Sequence, residues 1–304
     1  MPNNLQEIPR LRDSLSYHYI ERAIVDRKQN AIEYIQEEGR TLVPVAGISL
    51  VMLGPGTTLT HAAMKVLMEN GCSVIWVGED SIRCYGQGLG ETRRSFHLLR
   101  QAELVCDSES REKVVRRMYT MRFDEQLEEG LSLNQIRGKE GARVRQAYAD
   151  ASEKFGVEWH GRRYDRTNWG FGDTINQTLS AANALLNGIC HAAIVSGGYS
   201  PALGFVHTGR MLSFVYDVAD LYKTELTIPA AFETVAESEE KTGPRVRTLC
   251  RERFREARLL QRILPDIDSI LDIPEDVEGS FALDPPSALW KELFANDRYD
   301  SREG

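Results

Sequence analysis

Paired cysteines are missing from this chain. Its five cysteines, Cys72, Cys84, Cys106, Cys190 and Cys250, are scattered with no CxxC among them, which argues against a zinc ribbon or a disulfide framework and leaves reduced thiols. Long apolar runs are missing too. The longest, at about 42–53, is too short to cross a bilayer, and the polar start MPNNLQEIPRLRD has no secretory pattern, so no membrane contact and a cytoplasmic location are expected. Lysine is scarce: 29 of the 37 basic residues are arginine, whose planar fork suits phosphate. Nucleotide-binding loops are absent as well. LGPGTTLTH (53–61) has the look of a phosphate cradle after a strand, but it lacks the GK[ST] of a P-loop and the GxGxxG of a dinucleotide site. A strand-to-helix turn capped by Thr58 or Thr60 is expected there instead. There is no internal repeat and no low-complexity tract.

With 304 residues, 42% hydrophobic and 27% charged, the chain has room for two soluble domains. Its net charge of −8 looks wrong for a nucleic-acid partner until its distribution is read. From Asp266 onward there are 11 acidic and 3 basic residues, so the body is neutral on average and free to carry basic faces. One is expected on a helix over 244–264, where Arg247, Arg251, Arg255, Arg258 and Arg262 recur every three or four positions opposite Val246, Leu249, Cys250, Ala257 and Leu260.

Strand-like runs (AIEYI, TLVPV, GISLVML, CSVIWVG, SIRCYG) dominate up to Gly86, broken by one helix near 60–69. The glycine-rich, then charged stretch GQGLGETRR reads as a linker. Helical periodicity follows near 95–107, 110–123, 132–155, 172–187, 213–224, 229–239 and 244–264. The expected fold class is α+β: an N-terminal β domain over 1–86, a linker over 87–94, an all-α domain over 95–271 and an acidic tail over 272–304. The tail's aromatic cluster around Trp290 suits docking on a partner.

Charged residues in apolar surroundings mark the candidate site. The run 204–223, GFVHTGRMLSFVYDVADLYK, is small and apolar apart from His207, Asp217 and Asp220. A helix over 213–224 sets Ser213, Asp217, Asp220 and Thr224 on one face, with Tyr216 and Lys223 beside them, and turns Phe214, Val218 and Leu221 to a core. Upstream, a capping box of Ser132 and Gln135 opens a helix with the stripe Ile136, Val144, Tyr148, Ala151 and Phe155, and Glu140 fills the gap in that stripe. A glutamate, a histidine and one or two aspartates form a mixed oxygen and nitrogen set suited to Mg²⁺ or Mn²⁺. The same pattern also fits Glu140 in an ion pair with a neighbouring arginine and His207 as a satisfied core histidine.

The segments RGKEGARVR (137–145), GRRYDRTNW (161–169), GDTINQTLSAAN (172–183), GYSPALGFVHTG (198–209) and SFVYDVAD (213–220) resemble the CRISPR-associated integrase Cas-one of subtype I-E, the spacer-acquisition nuclease. PGTTLTHAA (55–63) and WVGEDSIRCYG (76–86) extend the resemblance to roughly residues 10–265. It implies an N-terminal β-sandwich followed by an α-helical catalytic domain, homodimers formed through both, and two homodimers bridged by a dimer of CRISPR-associated protein Cas-two. The substrate would be double-stranded DNA with 3′ ends, inserted as spacers into a CRISPR array. Glu140, His207 and Asp220 would hold the metal, Asp217 would orient the site or take up a proton, and Lys223 and Arg83 would stabilise charge on the phosphate. Tyr164, Trp169, Arg210 and Tyr216 would hold the incoming ends, and Arg137 joins the arginines Arg247, Arg251, Arg255 and Arg258 in the DNA-binding set. The resemblance departs at Arg22 and Asn187, where the family has tyrosines. Two other readings stay open: a free-standing branched-DNA nuclease using water as nucleophile, and a non-catalytic architectural DNA binder.

Overall fold

Two periodicities divide the chain. In the computed structural model, which describes residues 17–37, 39–48, 50–78, 84–88, 95–123, 127–128, 130–162 and 173–273, strands lead and helices follow, so the fold class is α+β. The strands are β1 (Tyr17–Ile20), β2 (Ile24–Lys28), β3 (Ala31–Gln36), β4 (Gly39–Pro44), β5 (Leu50–Leu53), β6 (Thr58–Leu59), β7 (Ser73–Val77) and β8 (Cys84–Gly88). Helix α1 (His61–Glu69) sits among them, and α2 (Phe96–Cys106), α3 (Ser108–Phe123), α4 (Leu133–Phe155), α5 (Thr174–Ser196), α6 (Ser213–Asp220), α7 (Ile228–Glu237), α8 (Thr242–Glu256) and α9 (Leu259–Leu271) follow. The chain divides after Leu271 into two compact units, and the acidic tail from residue 274 lies outside the described residues, as does most of the expected linker.

The strands form two four-stranded sheets, ordered β1-β5-β7-β8 and β4-β3-β2-β6. In the first, β1, β5 and β7 are parallel, and the near-continuous apolar sequences of β5 and β7 are explained by burial on both faces. Val51, Leu53 and Val74 share a core with Val25, Ile32 and Val43 of the second sheet and with Val66 and Leu67 of α1. Leu50, Met52, Ile75 and Val77 point the other way and meet Ala192 of α5. The turn into α1 is capped by Thr60, whose hydroxyl accepts the Ala63 N–H at 3.1 Å, so the glycine-rich stretch is a capped turn.

Three helical expectations need correction. The helix expected over 172–187 runs on as α5 to Ser196, because almost every residue from Ala184 is buried and packing on all sides overrides the interior Gly188. By length and composition alone α5 could cross a bilayer, but here it is the central helix on which α6, α7, α8, α9 and the first sheet pack. The helix expected over 213–224 ends at Asp220, and a π-helical turn, Lys223–Thr227, leads into α7 with Pro229 in its first turn. The helix expected over 244–264 breaks between α8 and α9, where Arg258 takes a left-handed φ of 48°. That break ends the arginine stripe after Arg255.

Candidate active site

The site is built where α3, α4 and α6 meet the loop 197–212. The capping box that starts α4 is formed in full: Ser132 Oγ accepts the Gln135 N–H at 3.3 Å and the Ser132 N–H donates to Gln135 Oε1 at 2.8 Å. At the other end Gly156 closes the helix with a φ of 66°. Ile136 is fully buried, so Glu140, one turn on, faces inward toward α3. There it accepts a hydrogen bond from Nη1 of Arg122. The ion-pair reading of Glu140 thus holds, with Arg122 as the partner.

His207 arrives on a loop held from both sides. On one side Gln101 of α2, fully buried, accepts the Ser200 N–H at 2.8 Å and donates Nε2 to the carbonyls of Ser200 (3.0 Å) and Leu203 (2.9 Å). Arg111 of α3 donates Nε and Nη2 to the Phe205 carbonyl at 2.9 and 2.7 Å. On the other side Asp217, its side chain wholly buried, accepts the backbone N–H groups of Phe205 (2.6 Å), Val206 (3.0 Å) and His207 (2.8 Å). Gly204 lies where the loop crosses the start of α6, and a Cβ there would collide with the His207 carbonyl and with Ser213. Gln101 and Arg111 were not legible as site residues, because their task is to hold main chain far away in sequence.

Asp217 also accepts Nδ1 of His207 at 2.7 Å, which leaves Nε2 as the nitrogen available for other work. That bond holds the imidazole pKa above its ordinary value, against burial, and Asp220 adds to the rise. His207 is 44% exposed at its side chain, so it is not a satisfied core histidine. Asp220, on the next turn of α6, lies 2.5 Å from Lys223 Nζ and 3.8 Å from Arg122 Nη1. Burial pushes its carboxyl up, but Lys223 and Arg122 outweigh burial and hold it below the usual carboxylate range. Tyr119 of α3 completes this wall, its hydroxyl pushed up to about 12 by burial and by Glu140.

Glu140, His207, Asp217, Asp220, Arg122 and Tyr119 line one cavity of about 20 Å³, room for a single water-sized body. As the side chains stand, no three His, Cys, Asp or Glu among the described residues are close enough together to hold a metal ion. The reason is visible: one nitrogen, Arg122 Nη1, contacts Glu140 and faces Asp220, standing between the two carboxylates as a cation would. By donor type, two carboxylates and an imidazole nitrogen converging on one cavity do fit a hard divalent ion.

Of the expected DNA contacts, one lies against a site residue. Tyr216 stands edge-on to His207, with ring centroids 5.9 Å apart, and Arg210 and Arg137 are exposed nearby in sequence. Arg83, Tyr164 and Trp169 lie outside the described residues. On α8, Arg247 is half-buried, Arg251 lies 5.9 Å over the Tyr19 ring and Arg255 is exposed. Arg258 falls at the break rather than on α8, and Arg262 is committed to Glu225 at 3.0 Å. Of the two departures from the family pattern, Arg22 has a left-handed φ of 51° beside Gly56, and Asn187 lies half-buried on α5.

A helical domain with a histidine and acidic residues around one cavity follows a strand-rich region, and comparison with known proteins gives the family. The family model for CRISPR associated protein Cas1, the Cas-one of the sequence resemblance, matches residues 17–128 and 121–242. The CRISPR-associated endonuclease Cas1 2 of Thermus thermophilus is 53% identical over 292 residues, covering 94% of this chain and 90% of that protein. The CRISPR-associated endonuclease Cas1 of Geobacter sulfurreducens is 43% identical over 268 residues, covering 88% and 87%. A crystal structure of a TtCas1–DNA complex superimposes with a TM-score of 0.76 at 53% identity, covering 86% of this chain and 97% of that one. The chain belongs to the Cas1 family.

Proposed function

We propose that this chain is a metal-dependent DNA endonuclease and integrase of CRISPR spacer acquisition, of subtype I-E, which inserts short duplex fragments by attack of a 3′-OH on a phosphodiester. The observation that carries the reading is that Glu140, His207 and Asp220, drawn from α4, the 197–212 loop and α6, converge on one small cavity with basic residues beside it. Mg²⁺ or Mn²⁺, when bound, would polarise the scissile phosphodiester and lower the pKa of the attacking hydroxyl. Glu140, His207 through Nε2, and Asp220 would hold it. Asp217 fixes the ring and tautomer of His207 and, with its own lone pairs engaged, serves as a positioning group rather than a base. Lys223, paired with Asp220 beside the cavity, would neutralise charge on the phosphate.

The β domain over 1–86 and the helical domain over 95–271 would build the homodimer, and Cas-two would bridge two homodimers, with the acidic tail as its docking segment. Arg83, Arg137, Tyr164, Trp169, Arg210 and Tyr216 would hold the DNA ends. The test is strand transfer of a labelled duplex with 3′ ends into an array target, in Mn²⁺ and in chelator. Glu140→Ala, His207→Ala and Asp220→Ala should each abolish transfer with duplex binding within a few fold of wild type; transfer at the wild-type rate in any of them refutes the site. Turnover of a branched junction without transfer would make the chain a free-standing nuclease. The Arg122–Glu140 pair favours one further reading, an architectural DNA binder, which would bind DNA equally in chelator and never transfer it.

A further inference from the structure

Arg122 is more deeply buried than either carboxylate it faces: its side chain is 8% exposed, against 18% for Glu140 and 21% for Asp220. A guanidinium taken so far from water ordinarily bonds through all its donors. Here the fork is incomplete, for Nε is buried with no hydrogen-bond partner among the described residues, while Nη1 alone is turned to the two acids. The geometry serves the carboxylates at the expense of the arginine's own bonding. Lys223 meanwhile holds Asp220 from another direction at 2.5 Å. Two positive charges therefore already offset Glu140 and Asp220, and a dication added to both would be repelled at such short range.

We infer that Arg122 is a resident counter-cation: it faces both Glu140 and Asp220 at the cavity where the divalent ion would bind, and loading the metal requires Arg122 to release Glu140. This rests on the proposed metal site. In its light the two carboxylates are ionised and paired, Glu140 with Arg122 and Asp220 with Lys223, until an ion of higher charge displaces the arginine. Arg122 competes with the metal for one carboxylate, so the site trades ready occupancy for stability when empty.

The experiment is a Mn²⁺ titration of the full-length chain without DNA, followed by electron paramagnetic resonance of the free ion, together with thermal melting in chelator and in Mn²⁺. Wild type should bind and Glu140→Ala should not. Arg122→Gln, which relieves the competition, should bind Mn²⁺ about tenfold more tightly than wild type, melt lower in chelator, and regain that loss when Mn²⁺ is added. Equal binding by wild type and Glu140→Ala would overturn the metal site itself. Binding lost in Glu140→Ala but unchanged or weakened in Arg122→Gln would leave the metal site standing and overturn the role of Arg122. Should Arg122→Gln not fold, wild type answers alone: hydrogen exchange at Arg122 Nε–H should accelerate at least tenfold on saturation with Mg²⁺, and protection that does not change would refute the displacement.

Discussion

The two walls of the cavity are held by different kinds of interaction. On one, Asp217 accepts three main-chain N–H groups and the His207 ring, while Gln101 and Arg111 grip the carbonyls of the same loop from behind. On the other, Glu140 and Asp220 are held by the ends of two long cationic side chains, Arg122 and Lys223. Main-chain hydrogen bonds to a buried carboxylate fix one geometry and leave no cheap alternative. Ion pairs made by flexible side chains have alternatives, because another cation can substitute for either partner. One wall is therefore built to position and the other to exchange.

Removing Asp217 is the most damaging way to break that contrast. Asp217→Ala strips the partner from the buried Phe205 N–H, at about 1–3 kcal/mol, and from the part-buried Val206 and His207 N–H groups at less each, so a loss of about 2–3 kcal/mol of stability is expected in urea unfolding. Asp217→Asn must turn an amide N–H toward a donor, so it too should lose stability as well as transfer. Glu140→Gln keeps an acceptor for Arg122 and should cost about 1 kcal/mol. Equal losses in the two acids would show that the walls do not differ.

Gln101→Leu attacks the positioning wall from behind. It strips the partners from the Ser200 N–H and from the carbonyls of Ser200 and Leu203, with an expected loss of about 2 kcal/mol. A merely structural role would lower the melting point alone. If Gln101 positions His207, amide exchange at Phe205, Val206 and His207 should also quicken at temperatures where the core stays protected, and Mn²⁺ binding should weaken. Unchanged exchange at those three amides would assign Gln101 to packing only.

Acidity separates the walls as well. The His207–Asp217 bond raises the imidazole pKa, so its contribution to stability is complete below about 6.5, the unfolded value, and is lost as pH rises through the higher folded value. Metal binding has the opposite sign, because a ligating imidazole must be neutral: Mn²⁺ affinity should climb up to about tenfold per pH unit below that folded value and then level off. Asp220 adds no pH dependence in this window. Its carboxyl is held below 3.8, so its share of stability is present above that value and lost only as pH falls through the lower folded one. Calorimetric titrations at pH 6, 7 and 8 would show the climb; a flat profile would remove His207 from the ligands.

What the sequence disclosed follows the same division. Local signals were legible: the capping box at Ser132, the Thr60 cap, and the apolar partners Phe214, Val218 and Leu221 that turn Asp217 inward. Each depends on neighbours within a turn or two. Gln101, Arg111 and Arg122 were not, because what they touch lies 94 to 102 residues away for the first two and on another helix for the third. Nor was the extent of α5, where burial on every side outweighs the interior glycine. The break at Arg258 escaped for another reason. Nothing but an arginine occupies a position that wants a glycine, so the periodicity read straight through it.

That break sharpens the smallest of the expected effects. Arg247, Arg251 and Arg255 share α8, with Val246, Cys250 and Phe254 buried on its other side, so the phosphate track should end at Arg255. Arg251→Ala with Arg255→Ala should flatten the dependence of log affinity on log salt by about 1–2 units, since about one counterion stays on the DNA for each phosphate the arginines no longer neutralise, and sequence preference should not alter. Neither side chain is part of the core, so stability should move by less than about 0.5 kcal/mol. Arg258 separates the helix reading from the stripe reading. If the five arginines formed one continuous stripe, Arg258→Gly would also flatten the slope. From the left-handed conformation of Arg258, the glycine variant should instead leave the slope unchanged and stabilise the protein by up to about 1 kcal/mol, because glycine adopts a φ of 48° without strain. A flattened slope with no gain in melting temperature would restore Arg258 to the DNA face.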